Sequence, residues 1–203
     1  LLAGIVGRLG ESGQLSEAAA VPILGAMKAS ALVRWVEERL SESYGEVEVE
    51  RQDPVETLVA TILSQNTTDG NSGRAYARLL ERFATLNRVR RAPLEEIEDA
   101  IRVGGLAHGK AVAIQGVLER IVRERGRLDL SFLAALSLDE AKAWLRASPG
   151  VGDKTAGVVL LFALGRPYFP ADTHVRRVTS RLGLVGPGED PHWRLNEILP
   201  KDP

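Results

Sequence analysis

Two residues in the second half of the chain have types that suit covalent chemistry. Lys154 stands in A-S-P-G-V-G-D-K-T-A-G-V-V-L-L-F-A-L-G, residues 147–165, and Asp172 follows eighteen positions after it in P-A-D-T-H-V-R-R-V. A free lysine amine is a nucleophile of the Schiff-base kind, and its setting decides whether it is used as one. Pro149, Gly150 and Gly152 punctuate a tight turn, because glycine accepts backbone angles that a Cβ forbids and proline cannot continue a helix. The apolar run of Thr155, Ala156, Val158, Val159, Leu161, Phe162 and Ala163 predicts a helix directly afterwards, closed by Gly165. Unpaired N–H groups from Gly150 to Asp153 at that helix start welcome an anion such as a phosphate. A cation in the first turn opposes the dipole, so helix stability alone does not account for Lys154. Two readings of it stand: a solvated or phosphate-binding lysine, or a nucleophile. Asp172 likewise has a plain reading as a helix N-cap.

The pair taken together narrows the choice. P-G-V-G-x-K-T-A followed at this distance by x-D-T-H-V-x-R resembles the helix-hairpin-helix (HhH-GPD) DNA glycosylases, and specifically their endonuclease III branch. The resemblance implies a bifunctional glycosylase and AP lyase of base excision repair, with Lys154 as nucleophile and Asp172 as catalytic carboxylate. The implied substrate is double-stranded DNA with a damaged base, an oxidised pyrimidine, or an abasic site. The strand would be cut 3′ to that site by β-elimination. Gly150, Gly152 and Thr155 of the hairpin, and His174 and Arg176 after it, become implied DNA contacts. Carbonyls from Ser148 to Val151 become an implied monovalent cation site.

Two further loops carry the resemblance. Leu63-Ser64-Gln65-Asn66-Thr67-Thr68-Asp69 resembles the family's L-S-x-Q/N-x-T-D loop, whose amide side chain fills the gap left by the extruded base. Filling matters because extrusion costs a few kcal/mol of stacking and pairing. Asn66, with Gln65 beside it, is the implied wedge; by residue type alone either amide simply holds a turn. Val103-Gly104-Gly105-Leu106-Ala107-His108-Gly109-Lys110-Ala111 looks like the family's G-L-x-x-x-K-A stretch. Leu106 is the candidate second wedge, since apolar side chains inserted between base steps unstack a duplex. The alternative is that Leu106 tucks against Ile114, Val117, Leu118 and Ile121. Lys110 is expected near a phosphate, or else as an ordinary surface lysine, and His108 has no assigned role. Asp153 departs from the family, whose members usually carry a basic residue there, and Asn66 is shorter than the commoner glutamine.

The elements that must position these residues read as helices throughout. Leu32, Trp35, Val36 and Leu40 form an apolar stripe on a helix from Ala29 to about Gly45. Asp53-Pro54-Val55-Glu56 is a helix opening, with an N-cap, a proline at the first position and an acid beyond. It begins a Leu, Val and Ile rich helix over Val55 to Leu63 that should be central. Further helices are predicted over Asn71 to Phe83, from Pro93 through Ile101, and over Lys110 to Arg125, with Val47 to Gln52 as an extended connection. Ser137 and Glu140 form a capping box before the short helix that leads into the hairpin. Thr173 to Leu182 and a helix opened by Asp190-Pro191 complete the set. The expected fold class is all-α: a helical bundle at 53–166 carrying the hairpin, and a second, discontinuous helical domain from 29–52 and 167–203, with DNA between the two. Residues 1–28 read as a tail or extra helix outside the resemblance, and the second domain reads as cut short at Pro203.

Composition narrows the class further. The 203 residues are 44% apolar, enough for one or two cores. Net charge is −1, yet residues 1–101 hold 11 basic and 16 acidic side chains while residues 102–203 hold 15 and 11. That asymmetry suits a nucleic-acid enzyme with a local basic face. The 3 histidines are not paired at metal-ligand spacing, so no side-chain metal site is expected. There is no cysteine. The four-iron, four-sulfur cluster of many endonuclease III relatives therefore has no ligand within these residues, and it belongs to the protein only if the native chain continues past Pro203. No signal peptide and no membrane span are legible. A monomer in the cytoplasm, associated with the nucleoid and needing no diffusible cofactor, completes the expectation. The rivals are a monofunctional mismatch or adenine glycosylase of the same superfamily, whose members usually lack the lysine, and a non-catalytic helix-hairpin-helix DNA-binding module. A helical scaffold for protein partners explains neither glycine loop.

Overall fold

The computed structural model describes residues 28–45 and 51–200. Most of the tail expected at 1–28 and of the extended connection expected at 47–52 lies outside them. Among the described residues the secondary structure is helical and holds no strand, as the all-α reading requires. The chain divides into two compact units, residues 50–170 and residues 1–49 with 171–203.

The unit of residues 50–170 is built around α2, Pro54–Ser64, once α1, Ala29–Tyr44, is set aside for the other unit. Asp53 opens α2, its Oδ1 accepting the N–H groups of Val55 and Glu56, both at 2.9 Å, while Pro54 occupies a position that needs no donor. Val55, Leu58, Val59, Ile62 and Leu63 of α2 are all buried, which makes it the centre of the core as its composition demands. Around it pack α3 (Asp69–Phe83), α4 (Leu86–Arg91), α5 (Leu94–Ile101), α6 (Ala107–Arg125), α7 (Leu138–Arg146) and α8 (Asp153–Val158). Helix α4 was not legible in advance: only Leu86 and Val89 turn inward among basic residues, and its start rests on Thr85 accepting from Arg88 N–H. The helix expected through Ala163 instead widens into a π turn over Val159–Ala163.

In the other unit, α1, α9 (Thr173–Arg181) and α10 (Pro191–Ile198) enclose a small core of Leu32, Val33, Leu182 and Leu184. Trp35, Val36, Val178, Ile198 and Leu199 pack half-buried against it. Leu40, expected on the same stripe, is exposed, because that core reaches only the first turns of α1.

Candidate active site

The hairpin that carries Lys154 is fastened from both sides. Before it, Ser137 and Glu140 close the capping box of α7: Ser137 Oγ accepts from Glu140 N–H, and Glu140 accepts from Ser137 N–H at 2.9 Å. Behind it, Arg120 of α6 donates to the Trp144 carbonyl at 2.7 Å and to Ser148 Oγ at 2.8 Å, and its guanidinium lies 4.2 Å from the Trp144 ring centre. Trp144 in turn donates its indole N–H to Glu124 at 2.8 Å, so α6 and the hairpin are joined by a charged and aromatic cluster. Gly150 sits at φ +74, where only glycine is at ease, and a Cβ there would come within 2.8 Å of the Ala113 Cβ. Val151 N–H donates to the Ser148 carbonyl at 3.2 Å, closing the turn. Helix α8 then begins at Asp153 with no side-chain cap on its first N–H groups.

Lys154 is half-buried in the first turn of α8, and no described residue hydrogen-bonds or ion-pairs with its amine. Its neighbour Asp153, the departure from the family, is engaged: Arg146 approaches its Oδ1 at 3.4 Å and the Tyr168 hydroxyl at 3.5 Å. Those partners offset the negative charge that would otherwise repel an anion at the hairpin.

Asp172 caps α9 as its plain reading requires, Oδ1 accepting from His174 N–H at 2.9 Å and Val175 N–H at 2.8 Å. The other carboxylate oxygen meets no partner among the described residues. His174 is exposed, with its ring nitrogen 3.1 Å from Arg177, and Arg176 is exposed with no side-chain partner among the described residues. Lys154 lies in the unit of residues 50–170 and Asp172 in the other.

The two implied wedges share a feature that residue type did not announce. Asn66 and Leu106 are both exposed and both in the left-handed region, at φ 51 and φ 50. Asparagine tolerates that region, whereas leucine pays for it in steric strain. Leu106 is 65% exposed, so it does not tuck against Ile114 and its neighbours on α6.

Three side chains expected at the DNA are engaged within the protein. Gln65 does not face outward: its Nε2 donates to the Gly150 carbonyl at 2.8 Å and to Thr155 Oγ1 at 3.2 Å, tying the Asn66 loop to the hairpin. Thr155 is 3% exposed, with its hydroxyl accepting that bond. Lys110 is neither near a surface phosphate nor a surface lysine. It is 4% exposed, and its Nζ donates to the carbonyls of Leu63 at 2.7 Å and Gly104 at 2.8 Å. Burial holds its pKa below the ordinary lysine value, since a low-dielectric setting disfavours the charged form. Lys110 shares the i, i+4, i+7, i+11 face of Ile114, Val117 and Ile121, and that register was the available signal. Arg120 carried none. His108 pairs with Glu98 at 2.7 Å on the exposed side of α5 and α6.

The family model described as HhH-GPD superfamily base excision DNA repair protein matches residues 59–199. The chain belongs to that superfamily. An Arabidopsis thaliana protein, At3g47830, provisionally named a DNA glycosylase, is 43% identical over 158 residues, 76% of this chain and 54% of that one. Endonuclease III of Sulfolobus acidocaldarius is 43% identical over 132 residues, 64% of this chain and 56% of that one. The chain thus spans little more than half the length of these two relatives. The fold is also that of endonuclease III solved as a trapped covalent intermediate with DNA, at TM-score 0.69 and 30% identity, over 86% of this chain and 80% of that one. With no cysteine in the sequence, the residues present offer no thiolate for an iron–sulfur cluster. Among the described residues no His, Cys, Asp and Glu cluster suits a metal, and no helix is long and apolar enough to cross a membrane.

Proposed function

We propose that the protein is a bifunctional DNA glycosylase and AP lyase that acts on double-stranded DNA bearing damaged pyrimidines. The observation that carries this reading is Lys154: an amine without an ionic partner among the described residues, in the first turn of the helix that leaves the hairpin. A lysine without an ion pair can reach a sugar carbon without first breaking one, once a base has taken its proton.

The damaged nucleotide turns out of the stack first, because its C1′ is unreachable inside the duplex. Asn66 and Leu106 enter the space it leaves. Asp172, as carboxylate, stabilises positive charge growing on the sugar and helps to take a proton from the amine. Lys154 Nζ bonds to C1′ as the C1′–base bond breaks and the base departs with the bonding pair. Opening of the sugar ring yields the Schiff base, and loss of a C2′ proton then expels the 3′ phosphate.

Only an imine is reduced to a stable adduct, so borohydride is expected to cross-link the protein to DNA containing an abasic site, and Lys154→Ala to abolish the product. A Lys154→Ala variant that still traps DNA at the normal rate would show that the nucleophile lies elsewhere. Release of an oxidised pyrimidine from duplex DNA without strand cleavage would leave a glycosylase and remove the lyase.

A further inference from the structure

A lysine in a helical core is an expensive choice. Taking an ammonium out of water costs several kcal/mol unless its donors are satisfied, and the stripe of α6 that holds Lys110 is otherwise apolar, with Ala111, Ile114, Val117, Leu118 and Ile121 all buried. A methionine of similar length would pack there at less cost. What a methionine lacks is the pair of bonds that Lys110 makes.

Both of its acceptors are ends of helices. Leu63 is in the last turn of α2, where carbonyls have no intrahelical partner. Its neighbours there are provided for locally: Ile62 O accepts from Gln65 N–H at 3.3 Å and Thr61 O from Ser64 Oγ at 2.9 Å. The Leu63 carbonyl is taken by Lys110. Gly104 closes the short 3-10 helix Arg102–Gly104, and its carbonyl too is taken by Lys110. A positive charge at two helix C-termini meets the negative end of both dipoles. The approach is close on every side: a Cβ on Gly104 would lie 3.2 Å from the Ala75 Cβ, 3.9 Å from Lys110 Nζ and 4.0 Å from the Leu63 carbonyl.

Directly beyond each held carbonyl comes an exposed tip. Asn66 follows Leu63 by three positions and Leu106 follows Gly104 by two, and both have left-handed backbones. For leucine such a conformation persists only where the surroundings over-determine it. One nitrogen therefore joins the roots of both loops, which are otherwise distant in sequence.

We propose that Lys110 is a positioning residue: from within the core its amine fixes the roots of the Asn66 and Leu106 loops to each other, so that the two tips enter duplex DNA as one rigid unit. This rests on the glycosylase reading for the purpose of the tips, but the positioning itself is a property of the protein alone.

The test has one arm without catalysis and one with it. Hydrogen exchange compares the wild type with Lys110→Met at the amides of Gln65 and Gly105, whose bonds to Ile62 and Arg102 sit at the two loop roots. Both amides are expected to exchange faster together, while amides in the middle of α3 keep their rates. Unchanged exchange at either root overturns the proposal whether or not the protein has any activity. In the second arm, borohydride trapping is measured on an abasic site in a duplex and on the same site in a single strand, which needs no wedge. Lys110→Met is expected to lose about ten- to a hundredfold on the duplex, the scale of a misplacement of about 1 Å, and no more than about twofold on the single strand. In an Asn66→Ala, Leu106→Ala background the same substitution is expected to cost almost nothing further. Equal losses on both substrates, or an undiminished loss in that background, mean a merely structural lysine. Gly104→Ala, which keeps the lysine and displaces only its acceptor against Ala75, is expected to show the same duplex-specific loss even if Lys110→Met folds poorly. Should the wild type trap neither substrate, the glycosylase reading falls, and hydrogen exchange still decides the positioning.

Discussion

Asp172 has two carboxylate oxygens, and the structure engages them unequally. Oδ1 caps α9, while the other oxygen has no partner among the described residues. The capping task and the proposed catalytic task can be separated by substitution. Asparagine is as good an N-cap as aspartate, so Asp172→Asn is expected to leave stability nearly unchanged, whereas Asp172→Ala costs about 1 kcal/mol from the lost cap. Both remove the charge that would stabilise the developing cation on the sugar, a contribution of roughly a hundredfold or more in rate. Urea unfolding and single-turnover base release, measured side by side, check this. An Asp172→Asn variant with normal base release would reduce the residue to its cap. Lys110 shows the limits of reading such residues from type and motif. Its place in the G-L-x-x-x-K-A stretch suggested a phosphate, but its heptad-like spacing with Ile114 and Val117 puts it on the buried stripe, and the spacing is what the structure follows.

At the scale of elements, capping chemistry was the legible part. Asp53-Pro54, Ser137 with Glu140, and Asp190-Pro191 each start a helix where the side-chain acceptor, joined by a proline in the first and last, says it should. Boundaries without such a signal were harder. Helix α4 has two inward residues and one threonine to announce it, and the apolar run Val159–Ala163 reads as ordinary helix although it forms a π turn after α8. The hold of α6 on the hairpin through Arg120 joins residues far apart in sequence, and no local pattern encodes it. One consequence concerns Gly150. Alanine at φ +74 costs about 1–3 kcal/mol in backbone strain, and its Cβ would also press on Ala113 at 2.8 Å, where overpacking typically adds about 1–3 kcal/mol. Gly150→Ala is therefore expected to lower the urea midpoint markedly. Combined with Ala113→Gly, the loss is expected to fall short of the sum by about 1 kcal/mol or more, because that substitution removes the clash and leaves the strain. Strictly additive losses would mean that the hairpin does not touch α6 at this point.

For the molecule as a whole, net charge says little and the pairing of charges says more. The sum is −1 over 203 residues, which would be unpromising for a protein proposed to hold a polyanion. The acidic group on α5 is largely engaged: Glu96 and Asp99 with Arg82, Asp99 also with Arg102, and Glu98 with His108. The Arg176 side chain, by contrast, has no partner among the described residues, so it is a cation that a phosphate can neutralise without first breaking an ion pair. Affinity for duplex DNA is accordingly expected to fall steeply with salt, with log K declining by about 0.9 per phosphate contact for each unit of log salt concentration. Arg176→Ala is expected to reduce that slope by about 1 and to weaken binding by a similar factor on damaged and undamaged duplexes, since a phosphate contact carries no base information. Exchanging Arg82 should leave the slope alone, because its charge is already spent on Glu96 and Asp99. Titrations by fluorescence anisotropy across a range of salt concentrations measure all three slopes. A flat wild-type response, or an Arg82 variant that changes the slope as much as the Arg176 variant does, would show that the unpaired cation is not the one DNA meets.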